Sequence, residues 1–187
     1  MRRENLESRG PDRLSSARSS ARSSAGFSLI EMLTTMSILA ILLAIASPGL
    51  ASLTSANALS AAQGELASAM VLARSEALKR SASVGLAATS PVRGAEFSGG
   101  WTIFVDANNN GVFDAGETIV RQQPAFHGDV RVAVTGGATV VAFNNRGFLT
   151  PSAMVTLTVC SSLVAKSYQL RVEPVGLADV VDSTGCP

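Results

Sequence analysis

From Phe27 to Ser47 the chain runs through 21 residues with a single charge, Glu31. A helix of that length is about 30 Å long, enough to cross the core of a bilayer. Pro48-Gly49 follows at once. A helical pattern resumes directly after it, so the pair is expected to bend the helix rather than end it. Between Ser52 and Arg80 the larger apolar residues are Leu53, Leu59, Leu66, Met70 and Leu78, with alanines in the turns between them. Most of their spacings are near multiples of 3.5, which puts them on one face. Glu65, Arg74, Glu76, Lys79 and Arg80 mostly fall elsewhere. The pattern predicts one helix of about 50 residues, half in a membrane and half packed on a sheet.

Beyond Arg80 the period changes from helical to alternating. Seven short runs rich in Val, Thr and Ile read as strands: Val84–Ala88, Trp101–Val105, Thr118–Gln122, Val130–Val134, Thr139–Phe143, Val155–Cys160 and Ser167–Val172. Gly, Pro and Asn clusters separate them. Thr156-Leu157-Thr158-Val159 and Gln169-Leu170-Arg171-Val172 alternate polar with apolar residues, the pattern of a sheet with one wet face. The expected fold class is α+β, a long kinked amino-terminal helix on an antiparallel sheet. The expected segments are a leader at 1–26, a spanning helix at 27–47, its continuation at 48–82 and a β-rich head at 83–187.

Charge fixes the orientation. The leader holds six arginines (Arg2, Arg3, Arg9, Arg13, Arg18, Arg22) against Glu4, Glu7 and Asp12. Positive charge ahead of a spanning helix predicts a cytoplasmic amino terminus and a head on the far side. The whole chain has 15 basic and 14 acidic residues, so removing the leader leaves nine and 11, a slightly acidic remainder. That balance lacks the basic footprint of a nucleic-acid-binding domain.

Glu31 is the anomaly, since a carboxylate at the centre of a spanning helix costs about 2.5–3.5 kcal/mol and less near its end. Gly26, then Phe27, Glu31 five residues beyond the glycine, and an unbroken apolar helix resemble a type IV prepilin signal. The resemblance implies that a membrane peptidase cuts between Gly26 and Phe27 and that Phe27 becomes an N-methylated residue. It also implies that Glu31 pairs with the free amine of a neighbouring subunit's Phe27 during assembly. Such a pair gains far more in low dielectric than in water. The plainer alternative is a carboxylate reaching the membrane interface from the first turns of the helix.

The later chain resembles the GspH/FimT branch of minor pseudopilins and pilins. The residues that carry this are Gly100-Trp101-Thr102-Ile103-Phe104-Val105-Asp106, running into Asn108, Asn110, Gly111, Asp114, Gly116 and Glu117, and the later strand Val155–Cys160. Membership would make the chain a structural subunit rather than an enzyme. It would join a type II secretion pseudopilus through its helix, next to other pseudopilins and anchored in the inner membrane. Two alternatives are a minor pilin of a type IV pilus and a soluble periplasmic protein whose signal peptide is cut after Ala46. Some FimT-like pilins bind DNA through a Gly-Arg-x-Arg stretch near the carboxyl terminus. The region Val172–Asp179 here lacks it and is acidic, which argues against nucleic acid as a partner.

Outside the helix the strongest chemical pattern is Asp106 to Glu117, which satisfies D-x-[DN]-x-[DN]-G-x5-E in full. Oxygens of Asp106, Asn108, Asn110 and Glu117 with the carbonyl of Val112 could surround one calcium ion. The competing reading is a polar hairpin turn in which Asn110-Gly111 supplies positive φ. Cys160 and Cys186 either stay as thiols or, in an oxidising periplasm, pin the carboxyl terminus as a disulfide. His127 is the only histidine and has no second His or Cys beside it in sequence for a zinc set. No Gly-x-Ser-x-Gly elbow, phosphate loop, dinucleotide fingerprint or Cys-x-x-Cys pair occurs in the sequence.

Overall fold

The structure, a computed structural model, describes residues 26–186, so the leader lies outside the described residues apart from Gly26. The first helix, α1, is Leu29–Arg80, beginning two residues later and ending two earlier than the segments expected from sequence. It runs unbroken through Pro48-Gly49. Pro48 has no N–H to give to the carbonyl of Ala44, so the helix loses one bond there without stopping. The chain divides into two compact units, residues 1–42 and 43–187, which are described in turn.

In the first unit every described side chain is exposed, including the apolar ones from Phe27 to Leu42. Its hydroxyls are satisfied within the helix: Thr34, Thr35 and Ser37 donate to the carbonyls of Glu31, Met32 and Leu33 at 2.9, 3.0 and 2.8 Å. Polar groups bonded back to their own helix need nothing from the surroundings, so they are tolerated in lipid.

The second unit holds the rest of α1 and nine strands. Sheet A has the order β3-β2-β1-β5-β6 and sheet B the order β4-β7-β8-β9. In chain order these are β1 Ser83–Ala88, β2 Trp101–Asp106, β3 Thr118–Gln123, β4 Val130–Val134, β5 Val140–Phe143, β6 Leu149–Thr150, β7 Val155–Ser161, β8 Val164–Val172 and β9 Ala178–Thr184. Every pairing is antiparallel. One core joins α1 to both sheets, with Leu59, Leu66 and Met70 of the helix against Leu86, Ile103 and Phe143 of sheet A and Val132, Leu157 and Leu170 of sheet B.

The helical face differs from the expected one. Leu53 and Leu78 are 62% and 48% exposed, whereas Ala62, Ala69, Ala73 and Ala77 are fully buried. The small side chains are the seam. They let backbone approach backbone where a leucine would hold the sheets off. The helix stops because Ser81 adopts φ 51°. The N–H of Ala82 then reaches the carbonyl of Ala77 and that of Ser81 reaches Leu78, the paired closure that usually takes glycine. Lys79 and Arg80 in the last turn both pair with Glu76 and complement the helix dipole.

All seven expected strands form, within one to three residues at their ends. The expected single sheet is two, and β6 and β9 are additional strands. The inner strands β2, β1 and β5 of sheet A are largely buried along their length, whereas the edge strand β3 is mostly exposed. Gly85 is required by the packing, because a Cβ there would lie 2.5 Å from Cζ of Phe104, whose ring crosses over β1.

Candidate functional site

Three places carry the chemistry that matters here. The first is the start of the chain's described part. Gly26, Phe27 and Ser28 precede the helix and are exposed, so the Gly26–Phe27 bond is in open, non-helical chain. A side chain built on Gly26 would meet nothing within 4 Å. Among the described residues nothing in the packing demands glycine there. Glu31 is the acidic residue in the first turn of α1 and its side chain is exposed. A carboxylate at this helix end is favoured by the N-terminal dipole whatever else it does.

The second place is the loop from Asp106 to Glu117. Asp106 is buried, and its two oxygens accept from the N–H groups of Asn110 and Gly111 at 3.0 and 2.9 Å. Glu117 accepts from the N–H groups of Ala107 and Asp114, both at 3.0 Å. The Asn108 and Asn110 amides donate to Asp114, which holds that carboxyl below its usual value. Asn110 Oδ1 also accepts from Val112 N–H at 2.8 Å. Positive φ falls at Asn109 (57°) and Gly111 (73°). Phe113 caps the loop by packing on Phe104, with centroids 5.2 Å apart, and so covers the outer face of sheet A.

This is a network of Asx-type turns, in which the side-chain oxygens of Asp106, Asn108, Asn110 and Glu117 accept N–H bonds from the loop itself. Among the described residues no three His, Cys, Asp or Glu side chains gather as a metal set. If the loop is a turn alone, changing from chelator to millimolar calcium should move the melting temperature by less than about 1 °C. A rise of several degrees would install an ion among Asp106, Asn108, Asn110, Val112 and Glu117, which is the alternative that the titration tests.

The third place is not legible in the sequence. Asp129 joins three elements: it accepts from Ser161 Oγ of β7 at 2.9 Å, contacts Nδ1 of His127, and lies beside the fully buried Ser55 hydroxyl of α1. The Ser55 hydroxyl does most to lower its pKa, against the opposing effect of burial, with help from His127 and Ser161. The result is a shift from 3.8 to about 2. Because the folded value lies below the unfolded one, the contribution is complete above about pH 4 and is lost as pH falls through 2. With the carboxylate only 12% exposed, the shift corresponds to about 2 kcal/mol at neutral pH. Asp129→Asn should lower the urea-unfolding free energy by that amount at pH 7. The gap from the unsubstituted chain should close toward pH 2, and a gap that is constant with pH would contradict the assignment. His127 is thus an exposed ring with one acidic neighbour.

Glu96 is the other buried acid that the pattern does not reveal. Burial pushes its pKa up, but N–H donation from Val134, Gly94 and its own amide outweighs this and holds it below the ordinary value. It accepts from Val134 N–H at 3.0 Å and from Gly94 N–H at 2.8 Å. With Ser98 Oγ on Val132 N–H and Phe97 N–H on Val132 O, it covers the free edge of β4. Cys160 and Cys186 form a disulfide with Cα atoms 5.4 Å apart. Asn144 organises the Phe143–Gly147 turn by accepting from the N–H groups of Arg146 and Phe148, and leaves Arg146 exposed.

Comparison with known proteins agrees with this arrangement. Residues 62–176 match the family model described as Type II transport protein GspH, and residues 21–47 match the prokaryotic N-terminal methylation motif. The pilin-like protein PilA1 of Thermus thermophilus is 40% identical over 94 residues, 49% of this chain. That match spans about half of the relative's own length, 54%. Two crystal structures of the Pseudomonas aeruginosa type IV minor pilin FimU share the fold. One has a TM-score of 0.56 at 18% identity over 68% of this chain and 99% of the crystallised chain. The other has 0.58 at 20% identity over 72% and 98%.

Proposed function

The chain belongs to the GspH family of type II transport proteins and carries a prokaryotic N-terminal methylation motif, and from that premise we propose that it is a minor pseudopilin of a type II secretion system. The family is structural, so no reaction is assigned to the chain. The observation that carries the proposal is the junction of two parts. A glycine with no packing role of its own precedes Phe27, and an exposed apolar helix then runs without a break into a folded head. A prepilin peptidase would cut between Gly26 and Phe27 and methylate Phe27. Among the described residues α1 is the one helix long and apolar enough to cross a membrane.

The processed chain waits in the inner membrane with its head outside the cytoplasm. It then leaves laterally into a filament by exchanging lipid for the helices of other pseudopilins. Glu31 makes that exchange favourable by meeting the amine of a neighbour's Phe27. The head, acidic after processing and stiffened by the disulfide, contributes surface rather than chemistry. Cleavage after Ala46 explains neither Glu31 nor the match to the methylation motif.

A second reading is a minor pilin of a type IV pilus. It is favoured by the 40% identity to a protein named pilin-like. Deletion of the gene separates the two. The secretion reading expects exported proteins to accumulate in the periplasm while surface pili are unchanged. Loss of pili with normal secretion would favour the second.

A further inference from the structure

We propose that the open edge of β9 receives an extended segment of a second protein, which adds a fifth strand to sheet B and sets one cation opposite Asp179. The inference concerns the folded head alone and stands apart from the choice between secretion system and pilus.

The two sheets end in four edge strands, and three of the edges are closed. On β4 the N–H groups of Val132 and Val134 are taken by Ser98 Oγ and the Glu96 carboxylate at 2.9 and 3.0 Å. β6 is two residues long, its Leu149 N–H reaches Pro174 O at 2.9 Å, and Pro151 follows it. β3 bulges at Val120, where its register against β2 slips by one residue, and Pro124 comes directly after it. Cover, shortness, bulges and proline are the usual means of keeping an edge from pairing.

β9 has none of these. Its seven residues keep one register against β8, from Lys166–Thr184 to Val172–Ala178. Just beyond its two ends, Gly185 N–H reaches Ala165 O at 3.1 Å and Glu173 N–H reaches Leu177 O at 2.8 Å. Antiparallel pairs alternate between bonded and unbonded, so within β9 the bonded residues are Asp179, Val181 and Ser183. The N–H and C=O groups of Ala178, Val180, Asp182 and Thr184 therefore point away from β8, and these four residues are exposed. Donors and acceptors at alternate residues match another extended backbone, which makes the occupant a strand. The disulfide from β7 to Cys186 holds the row in place beforehand and so lowers the ordering cost of binding.

Side chains narrow the occupant further. Val180 lies opposite the buried Leu170, is 37% exposed, and would be covered by an apolar side chain set beside it. Asp182 already pairs with Lys166 at 3.5 Å. Asp179 forms no ion pair among the described residues, and Arg171 opposite it donates instead to Gln169 Oε1 at 3.3 Å. A lysine on the incoming strand across from Asp179 would complete that pair. Two copies of β9 in full antiparallel register would set their Asp182 carboxylates diagonally across from each other, which favours a different partner.

The test adds a capped peptide of alternating threonine and valine with one central lysine to the full chain in detergent, and reads amide hydrogen exchange. At saturation the peptide should slow exchange at Ala178, Val180, Asp182 and Thr184 by at least about tenfold. The same peptide with alternate backbone nitrogens methylated should leave them unchanged, a control that needs no change to the protein. Val180→Pro removes one outward N–H and no bond to β8, so the β4–β7 amides should stay protected while the peptide's effect disappears. Val180→Thr keeps the N–H and should bind as before. Changing the peptide's lysine to glutamate should weaken binding several-fold, and equal binding overturns the cation opposite Asp179. No slowing by the peptide, or slowing that survives nitrogen methylation or Val180→Pro, overturns the proposal. Protection of the four amides without peptide that fades on dilution would give the edge to a second copy and overturn it equally.

Discussion

A Glu31→Ala chain is expected to enter the membrane as well as the unsubstituted chain and to be lost from the filament. Insertion should not suffer, because removing a carboxylate from the first turns of a spanning helix only lowers the cost of placing it in lipid. Assembly should suffer, because the substitution leaves a neighbour's amine without its counter-charge in low dielectric. Breaking one partner of a buried pair costs about 3–5 kcal/mol, and every 1.4 kcal/mol is tenfold in an equilibrium. The carbonate-resistant fraction should match the unsubstituted chain while the amount in sheared filaments falls at least about tenfold. Glu31→Gln keeps the size and should behave like alanine if charge is the cause. Normal incorporation of either variant would leave Glu31 as a first-turn acid that favours the helix dipole and nothing more.

Replacing both Cys160 and Cys186 by alanine should have the largest effect on the head itself. The disulfide joins the end of β7 to Cys186, two residues beyond β9. Closing a loop of this size contributes about 3 kcal/mol in the chain-entropy model. β9 has few other restraints, since it pairs only with β8 and most of its side chains are exposed. The loss should therefore appear first as faster hydrogen exchange over residues 178–184, with the β4–β7 amides following only near global unfolding. Equal exchange in the two chains would show that the backbone pairing with β8, from Lys166–Thr184 to Val172–Ala178, is sufficient without the covalent tie.

β9 also illustrates where the sequence stops being informative. Ala178-Asp179-Val180-Val181-Asp182-Ser183-Thr184 has two acids and no alternation, and the region before it reads as an acidic stretch. It is a strand because β8 offers a free edge, which is a tertiary fact and leaves no mark on hydropathy. The helix face departs from its pattern for a related reason. Leu53 and Leu78 outrank alanine on any hydrophobic scale, but the second half of α1 lies in the seam between two sheets, where small size decides the packing. Asp129 and Glu96 are invisible because each is a single acid in a loop, and the partners that tie it to the fold, Ser55 and Ser161 for one and Val134 for the other, lie far away in sequence.

What can be read directly is what local chemistry fixes. Alternation in Val155–Ser161 and Val164–Val172 places Leu157, Val159, Leu170 and Val172 in the core. The apolar run at 27–47 and the glycine-aromatic-acid spacing carry the processing motif, because a peptidase reads sequence rather than fold. The Asp106–Glu117 pattern is legible as a loop of unusual order, and both a calcium site and a turn satisfy its spacing. Asp106 is buried and bonded to the loop amides, and the calcium titration is what separates the two.

The measurement that tests the central claim most directly is the mass of the amino-terminal peptide of the protein isolated from native membranes. The account predicts a peptide that begins at Phe27 and carries one added methyl group on its amine. A chain that begins at Ser47 would contradict it by making the apolar run a discarded signal peptide, and a chain that still begins at Met1 would contradict it by leaving the Gly26–Phe27 bond uncut.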